Sequence, residues 1–139
     1  MDRIRTDAAI FLFGALGYPA LEILWRGYTH PTMALAGGLC AVLLFRVNRD
    51  LSGGSLGLRL LASCGIVTLT ELLFGAVFNL WLGMDVWDYS DLPYQFLGQI
   101  CLPYALLWGL LSLPVCLFFS HRRKADERQE TGRGDLFRS

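Results

Sequence analysis

The chain has 139 residues, of which 54% are hydrophobic and only 17% are charged, and its formal net charge is zero. Its mean hydropathy of +0.44 is far above that of an average soluble domain, which excludes an ordinary water-soluble fold. We therefore predict an all-α integral membrane protein whose main partner is the lipid bilayer, with no nucleic-acid partner.

Four apolar stretches come close to the roughly 20 helical residues that cross the hydrocarbon core of a bilayer. They cover residues 8–25, 31–47, 58–82 and 96–119. The first is too long for the apolar region of a signal peptide and is predicted to be retained as a helix. Residues 1–120 thus form a predicted four-helix transmembrane domain. The basic tail that follows, residues 121–139, has too little apolar material to bury and is predicted to be disordered.

The basic residues indicate how these spans are oriented. Arg26 falls on one side of the predicted membrane, and the rest of the 12 lysines and arginines fall on the other side. Because cytoplasmic loops are enriched in lysine and arginine, we expect a multi-pass protein of the cell membrane with both termini in the cytoplasm.

The cysteines and histidines give no pattern of a cofactor site. The four cysteines are far apart and lie in apolar runs, where cysteine behaves as a small hydrophobic residue. The two histidines, His30 and His121, lie at opposite ends of their spans. The sequence therefore predicts no metal site and no cofactor.

Small residues recur at the spacing of a helix-packing face. Such residues matter in membranes because lipid tails supply little hydrophobic drive and helices associate through close backbone approach. The first span carries Gly14 and Gly17, and the second carries Ala34 and Gly38. The stripe in the fourth span is longer and consists of Cys101, Ala105, Gly109, Ser112 and Cys116.

A tandem two-helix repeat is a further prediction. Residues 37–40 align with residues 98–101, and each segment follows a proline. Glu22 and Glu71 lie in the two spans that precede these segments. The pattern indicates two copies of one helix-loop-helix unit.

Glu22 and Glu71 are also the acidic side chains that lie well inside the predicted spans. An acidic residue at a helix centre costs about 2.5–3.5 kcal/mol on insertion scales, so it needs a partner, a proton or a water-filled cavity. Glu71, Gly75 and Asn79 are four residues apart and would form one polar stripe. We interpret Glu22, Glu71, Gly75 and Asn79 as a candidate intramembrane polar path. Alternatively, a protonated Glu71 bonds to Asn or Thr across a helix interface, and Glu22 pairs with Arg26.

The longer outer loop, residues 83–95, carries three aspartates among aromatic residues typical of headgroup depth. Asp91 or Ser90 is predicted to cap the fourth helix by accepting hydrogen bonds from its first amides. A calcium site is the less favoured alternative, because oxygen ligands at this spacing do not complete one. Pro103 and Pro114 are expected to interrupt that helix.

Several motifs in the chain resemble one known family. They are Gly17-Tyr18-Pro19-Ala20-Leu21-Glu22, Trp25-Arg26-Gly27, Glu71-x3-Gly75-x3-Asn79, Trp87-Asp88-Tyr89-Ser90-Asp91-Leu92-Pro93 and Gly98-Gln99-Ile100-Cys101-Leu102-Pro103. Over about residues 17–108 this pattern resembles the Putative ABC-transporter type IV (CmpB-like) membrane proteins. The resemblance implies a permease-like component. The candidate outer-loop motif of this chain consists of Trp87, Asp88, Tyr89, Ser90, Gly98 and Gln99.

The favoured hypothesis is a small transporter or permease component that works as a homo-oligomer or with a partner membrane subunit. The sequence has no P-loop, so any ATPase is expected to be a separate subunit. The alternative is a non-transporting membrane scaffold or regulator whose buried polar residues serve helix packing. An enzyme is not expected, because no Ser/His/Asp, Cys/His or metal-ligand arrangement is present.

Overall fold

The computed structural model describes residues 2–136, with side chains as far as residue 134. Four helices in it are long and apolar enough to cross a membrane. They are α1 (Asp2–Arg26), α2 (Pro31–Asp50), α3 (Leu56–Phe74) and α4 (Leu102–Leu136). A π-helical segment, Gly75–Trp81, continues α3, and two short antiparallel strands, β1 (Gln95–Phe96) and β2 (Ile100–Cys101), precede α4. The predicted all-α membrane fold with four transmembrane helices is confirmed.

Local chemistry fixes the short connections between the helices. Gly27 ends α1 with a φ of 81°, a value that glycine adopts without steric cost. The His30 side chain then accepts a hydrogen bond from the Thr32 amide, and Pro31 occupies the first turn of α2. Ser55 caps α3 in the same manner, accepting from the Leu58 amide at 3.2 Å. Each turn therefore returns the chain across the membrane within a few residues.

Helices α1 and α2 pack along a seam of glycines. A β-carbon on Gly14 would overlap the Gly37 carbonyl and would lie 2.5 Å from the β-carbon of Ala41. A β-carbon on Gly38 would lie 2.6 Å from the ring of Phe11. The predicted packing role is thus confirmed for Gly14 and Gly38. It is wrong for Gly17, which has no other heavy atom within 4 Å of its β position.

Helices α3 and α4 meet along the predicted stripe of small residues. Ser112 and Cys116 are buried, and the Cys64 thiol donates to the Ala105 carbonyl at 3.0 Å. A β-carbon on Gly109 would stand 3.7 Å from that of Cys64, which is ordinary van der Waals contact. The stripe therefore faces α3, but it tolerates more volume at Gly109 than the glycine seam between α1 and α2 does.

The start and the end of the fourth helix differ from the sequence prediction. The helix begins at Leu102 instead of residue 96, because Phe96 belongs to the strand pair before it. Pro103 therefore lies in the first turn, where its missing N–H has no cost, and does not interrupt the helix. At the other end, where the sequence predicts a disordered tail, α4 continues to Leu136, and its side chains are exposed through residue 134. Good helix formers and an Arg123–Glu127 pair at 2.7 Å support it. Residues 137–139 of the predicted tail lie outside the described residues.

The aligned segments of the predicted repeat do not correspond in three dimensions. Residues 37–40 lie within α2, whereas residues 98–101 lie in the turn and the strand before α4. The chain does form two helical hairpins, but this alignment does not relate them.

Basic and polar side chains tie the helices together at one end of the bundle, which we call the basic end. Arg46 bonds to Asp7 there. The buried Arg59 donates to the Cys116 carbonyl at 2.8 Å, and Arg123 donates to the Ser52 carbonyl at 3.0 Å. The opposite end, which we call the loop end, carries residues 27–30 and residues 82–101. The alternating direction of the four helices puts the start of α1 and the exposed part of α4 at the basic end.

Candidate functional site

A buried amide fastens the long loop of the loop end to the helices. Asn79 lies in the π-helical segment, where its side-chain nitrogen donates to the Trp87 carbonyl at 3.0 Å and to Gln99 Oε1 at 2.7 Å. Its side-chain oxygen accepts from the Val86 amide at 2.7 Å. All of these groups are buried from water, so each hydrogen bond satisfies an atom that would otherwise be costly to bury.

Gln99 completes this network from the α4 side. Its backbone carbonyl accepts from the Trp87 indole at 3.0 Å, and its side-chain nitrogen donates to the Leu97 carbonyl at 3.0 Å. Gly75 allows the close approach, because a β-carbon there would lie 2.8 Å from the β-carbon of Gln99. Gly75 therefore serves packing in the structure and offers no polar group to the membrane interior.

A tight turn shapes the remainder of the outer-loop motif. Leu97 and Gly98 both have positive φ, 54° and 67°, at the centre of a β-turn in which the Gln99 amide donates to the Phe96 carbonyl at 3.0 Å. The Asp88 carboxylate accepts hydrogen bonds from the Ser90 hydroxyl and the Ser90 amide. These bonds hold the pKa of Asp88 below its usual value. A β-carbon on Gly98 would overlap the bonded pair Asp88 and Ser90. The motif residues therefore pack closely and hold one another in position. The predicted cap at Ser90 or Asp91 is wrong, since α4 begins later.

Glu71 lies beneath this loop and is only 8% exposed. The Tyr89 hydroxyl donates to its carboxylate at 3.3 Å, and the ring of Tyr89 stacks on Tyr104 with centroids 4.9 Å apart. Burial, followed by the nearby Glu71 carboxylate, raises the pKa of Tyr89. Tyr89 therefore remains a hydroxyl donor at neutral pH. In the described part of the chain, Glu71 forms no bond to an Asn or a Thr, in contrast to the alternative predicted for it.

Two cavities meet at Glu71. The larger has a volume of about 790 Å³ and lies between the α1–α2 and α3–α4 pairs, and the smaller has a volume of about 290 Å³ and lies toward the loop end. Glu71 lines both of them. Six aromatic residues contribute to the wall of the smaller cavity: Tyr18, Trp25, Trp87, Tyr89, Tyr104 and Trp108.

Charge balance around Glu71 is unusual for a buried acid. In the described residues no Lys, Arg or His forms an ion pair with it. The neighbouring Trp108 indole nitrogen is buried close to the Glu71 carboxylate, without the geometry of a full hydrogen bond. The site thus holds an acid without a basic counterpart in the described residues, beside an indole donor, and both residues line the cavities.

Glu22 has a different environment at the edge of the smaller cavity. Arg26 donates to one carboxylate oxygen at 3.0 Å, and the Thr29 hydroxyl donates to the other at 2.6 Å. Arg26 also lies 4.5 Å from the centre of the Tyr28 ring and reaches the Val86 carbonyl at 3.4 Å. The ion pair that the sequence offered as an alternative for Glu22 is formed, so this acid is neutralised within the protein.

The structure therefore separates the predicted polar path into parts. Glu71 faces the cavities, Gly75 packs on Gln99, and Asn79 fastens the loop, so these three residues do not line one continuous path. A π-helix bonds residue i to i+5, which breaks the four-residue periodicity on which the stripe prediction rested. The cavity-lining aromatics Tyr18, Tyr104 and Trp108 were missed, because aromatic residues in apolar spans are common and give no distinguishing pattern.

No group of three or more His, Cys, Asp or Glu side chains that could hold a metal occurs within residues that the structure describes.

Comparison with protein-family models matches residues 26–127 to the family described as "Putative ABC-transporter type IV". No curated protein and no solved structure matches the chain.

Proposed function

This chain belongs to the Putative ABC-transporter type IV family, and on that basis we propose that it is the membrane component of a transporter whose solute-handling group is Glu71. The observation that carries the proposal is a buried carboxylate, without a basic partner in the described residues, at the junction of two cavities. A buried acid within a membrane span costs free energy, so its presence calls for a partner or a function. The free-energy cost of burying Glu71 is explained if its carboxylate binds a proton or a cationic solute.

The outer-loop motif closes the loop end of the cavity in this proposal. Trp87 and Tyr89 line the smaller cavity, and the bonds of Asn79 and Gln99 hold the loop in place. Tyr89 links the loop to Glu71 through its hydroxyl. A solute that reached Glu71 from this end would have to displace or pass the loop, which gives the loop the position of a gate.

Partners follow from the family and from the shape of the unit. An ABC transporter couples transport to ATP hydrolysis, and the proposal assigns the ATPase to another subunit. Helix α1 packs mainly on α2 and has no buried residue. A second copy of the chain or a partner membrane subunit would pack on the side of α1 that does not contact α2. The proposed role involves binding and movement of a solute and no covalent catalysis.

Orientation is the first testable part of the proposal. The basic end holds Arg46, Arg59 and Arg123, so the positive-inside rule supports a cytoplasmic basic end in the cell membrane. Reporter fusions after residue 50 and after residue 134 are expected to read cytoplasmic, and a fusion at residue 88 is expected to read external. A cytoplasmic reading at residue 88 would reverse the topology.

Transport itself is tested by solute flux in proteoliposomes that contain the chain alone or together with a candidate ATPase subunit. Glu71→Gln keeps the size and hydrogen-bonding capacity of the side chain and removes its charge. We expect the variant to insert and fold like the parent but to lose at least about 90% of proton or cation flux, because the charged form is required. The matched control is Glu130→Gln, which makes the same change on the exposed part of α4.

The scaffold hypothesis retains one favourable observation, since most motif residues bond to one another and hold the loop. It predicts a different result in the same experiment. Parent protein without flux of protons, common ions or small solutes, combined with strong destabilisation by Glu71→Gln, would replace the transport role by a structural one.

A further inference from the structure

We infer that the two cavities form a binding site for a lipophilic organic cation, whose charge sits at Glu71 and whose apolar body lies between the α1–α2 and α3–α4 helix pairs. The inference names a substrate class and rests on the proposed function for its link to transport. Binding itself can be measured without any flux.

The walls of the larger cavity suit an apolar body. Its volume of about 790 Å³ falls in the range of sites that hold drug-sized molecules. Two hydroxyls on its wall donate to their own helices: Thr70 to the Ile66 carbonyl at 2.9 Å, and Ser112 to the Trp108 carbonyl at 2.8 Å. Glu71 is the acidic group that this wall offers to a ligand.

The charge of the site selects a cation. No Lys, Arg or His lines the larger cavity among the described residues. Arg26 lines the smaller cavity, but its charge is paired with Glu22 at 3.0 Å. The unpaired carboxylate of Glu71 dominates the field at the junction, and a carboxylate in apolar surroundings attracts a cation strongly and repels an anion.

The aromatic residues around Glu71 favour an organic cation over a bare metal ion. Tyr18 and Trp108 lie with ring centroids 5.5 Å apart and connect α1 to α4 beside the carboxylate. The faces of Trp and Tyr rings attract alkylammonium and arylphosphonium groups through the ring quadrupole. An alkali or calcium ion would instead require a shell of several oxygen ligands, and Glu71 with the Tyr89 hydroxyl is too small a set.

Two probes of the same shape and opposite charge test the inference: tetraphenylphosphonium and tetraphenylborate. Equilibrium dialysis of the purified full chain in detergent, with empty micelles as the blank, measures binding of each. We expect saturable binding of tetraphenylphosphonium that Glu71→Gln weakens by about tenfold or more, since a charged contact is lost. Glu130→Gln should leave it unchanged. Tetraphenylborate should bind the parent more weakly than the cation does.

A second variant covers the case in which Glu71→Gln fails to fold. Trp108→Leu removes an aromatic face and keeps the carboxylate, and it should weaken tetraphenylphosphonium binding by about threefold. Equal binding of both probes to the parent, or no effect of either variant on cation binding, would overturn the inference. Flux that depends on Glu71 without cation binding would overturn the substrate class alone. Cation binding without flux under any condition would instead overturn the proposed function.

Discussion

Replacing Gly14 with leucine is expected to separate α1 from α2 and to lower the free energy of unfolding in detergent by about 3 kcal/mol, as overpacking of a close contact does. A side chain at Gly14 would overlap the Gly37 carbonyl and Ala41, and backbone atoms cannot move aside as a flexible side chain can. Helix α1 has little other support, because it packs mainly on α2. Thermal unfolding monitored by circular dichroism measures the loss.

Gly17→Leu is the matched control for this prediction. Gly17 lies on the same helix with open space at its β position, so the identical substitution should change the unfolding midpoint by only a few degrees. The proposed seam would be wrong if Gly14→Leu and Gly17→Leu were equally stable, or if Gly17→Leu were the more destabilised of the two.

Asn79→Leu is expected to release the long loop at the loop end. The substitution removes three buried hydrogen bonds, to Val86, Trp87 and Gln99. Each is worth about 1 kcal/mol, and each partner left unsatisfied adds to the cost, so we expect a loss of about 3 kcal/mol or more. Cys101 reports the opening, because it lies in β2 beside Gln99 and is only 3% exposed.

Maleimide labelling followed by peptide mass spectrometry distinguishes local opening from global unfolding. In Asn79→Leu, the thiol of Cys101 should react many times faster than in the parent, while the thiol of Cys116, buried between α3 and α4, should remain protected. Asp91→Leu, a change on the exposed surface of the same loop, should leave both rates unchanged. Unchanged labelling of Cys101 in Asn79→Leu would show that Asn79 does not hold the loop.

Transmembrane segments were predictable from the sequence because span length and hydropathy are properties of a continuous stretch of chain. The start of α4 was not, because Phe96 is apolar whether it enters a helix or a strand. Only the turn at Leu97 and Gly98, which requires positive φ at both residues, separates the two outcomes. The helical form of the tail does not follow from its apolar content, because local pairs such as Arg123–Glu127 support the helix.

The candidate site was predictable in part. The insertion cost of an acidic group identified Glu71, and the same argument identified Glu22 together with its Arg26 partner. The role of Asn79 in holding the long loop depends on a π-helical segment, and no residue pattern in the chain predicts such a segment. Trp108 and Tyr18 reach Glu71 only because α4 and α1 converge there, so tertiary structure was needed to find them.

Glu71 is expected to be a reactive carboxyl within a cavity, and solute flux is expected to depend on it. Dicyclohexylcarbodiimide, a lipid-soluble reagent that modifies carboxyl groups in apolar surroundings, tests this most directly when labelling and flux are followed in the same proteoliposomes. We expect the peptide that contains Glu71 to become labelled in step with the loss of flux, and tetraphenylphosphonium to slow both. Flux that continues unchanged after Glu71 has been fully modified would contradict this expectation.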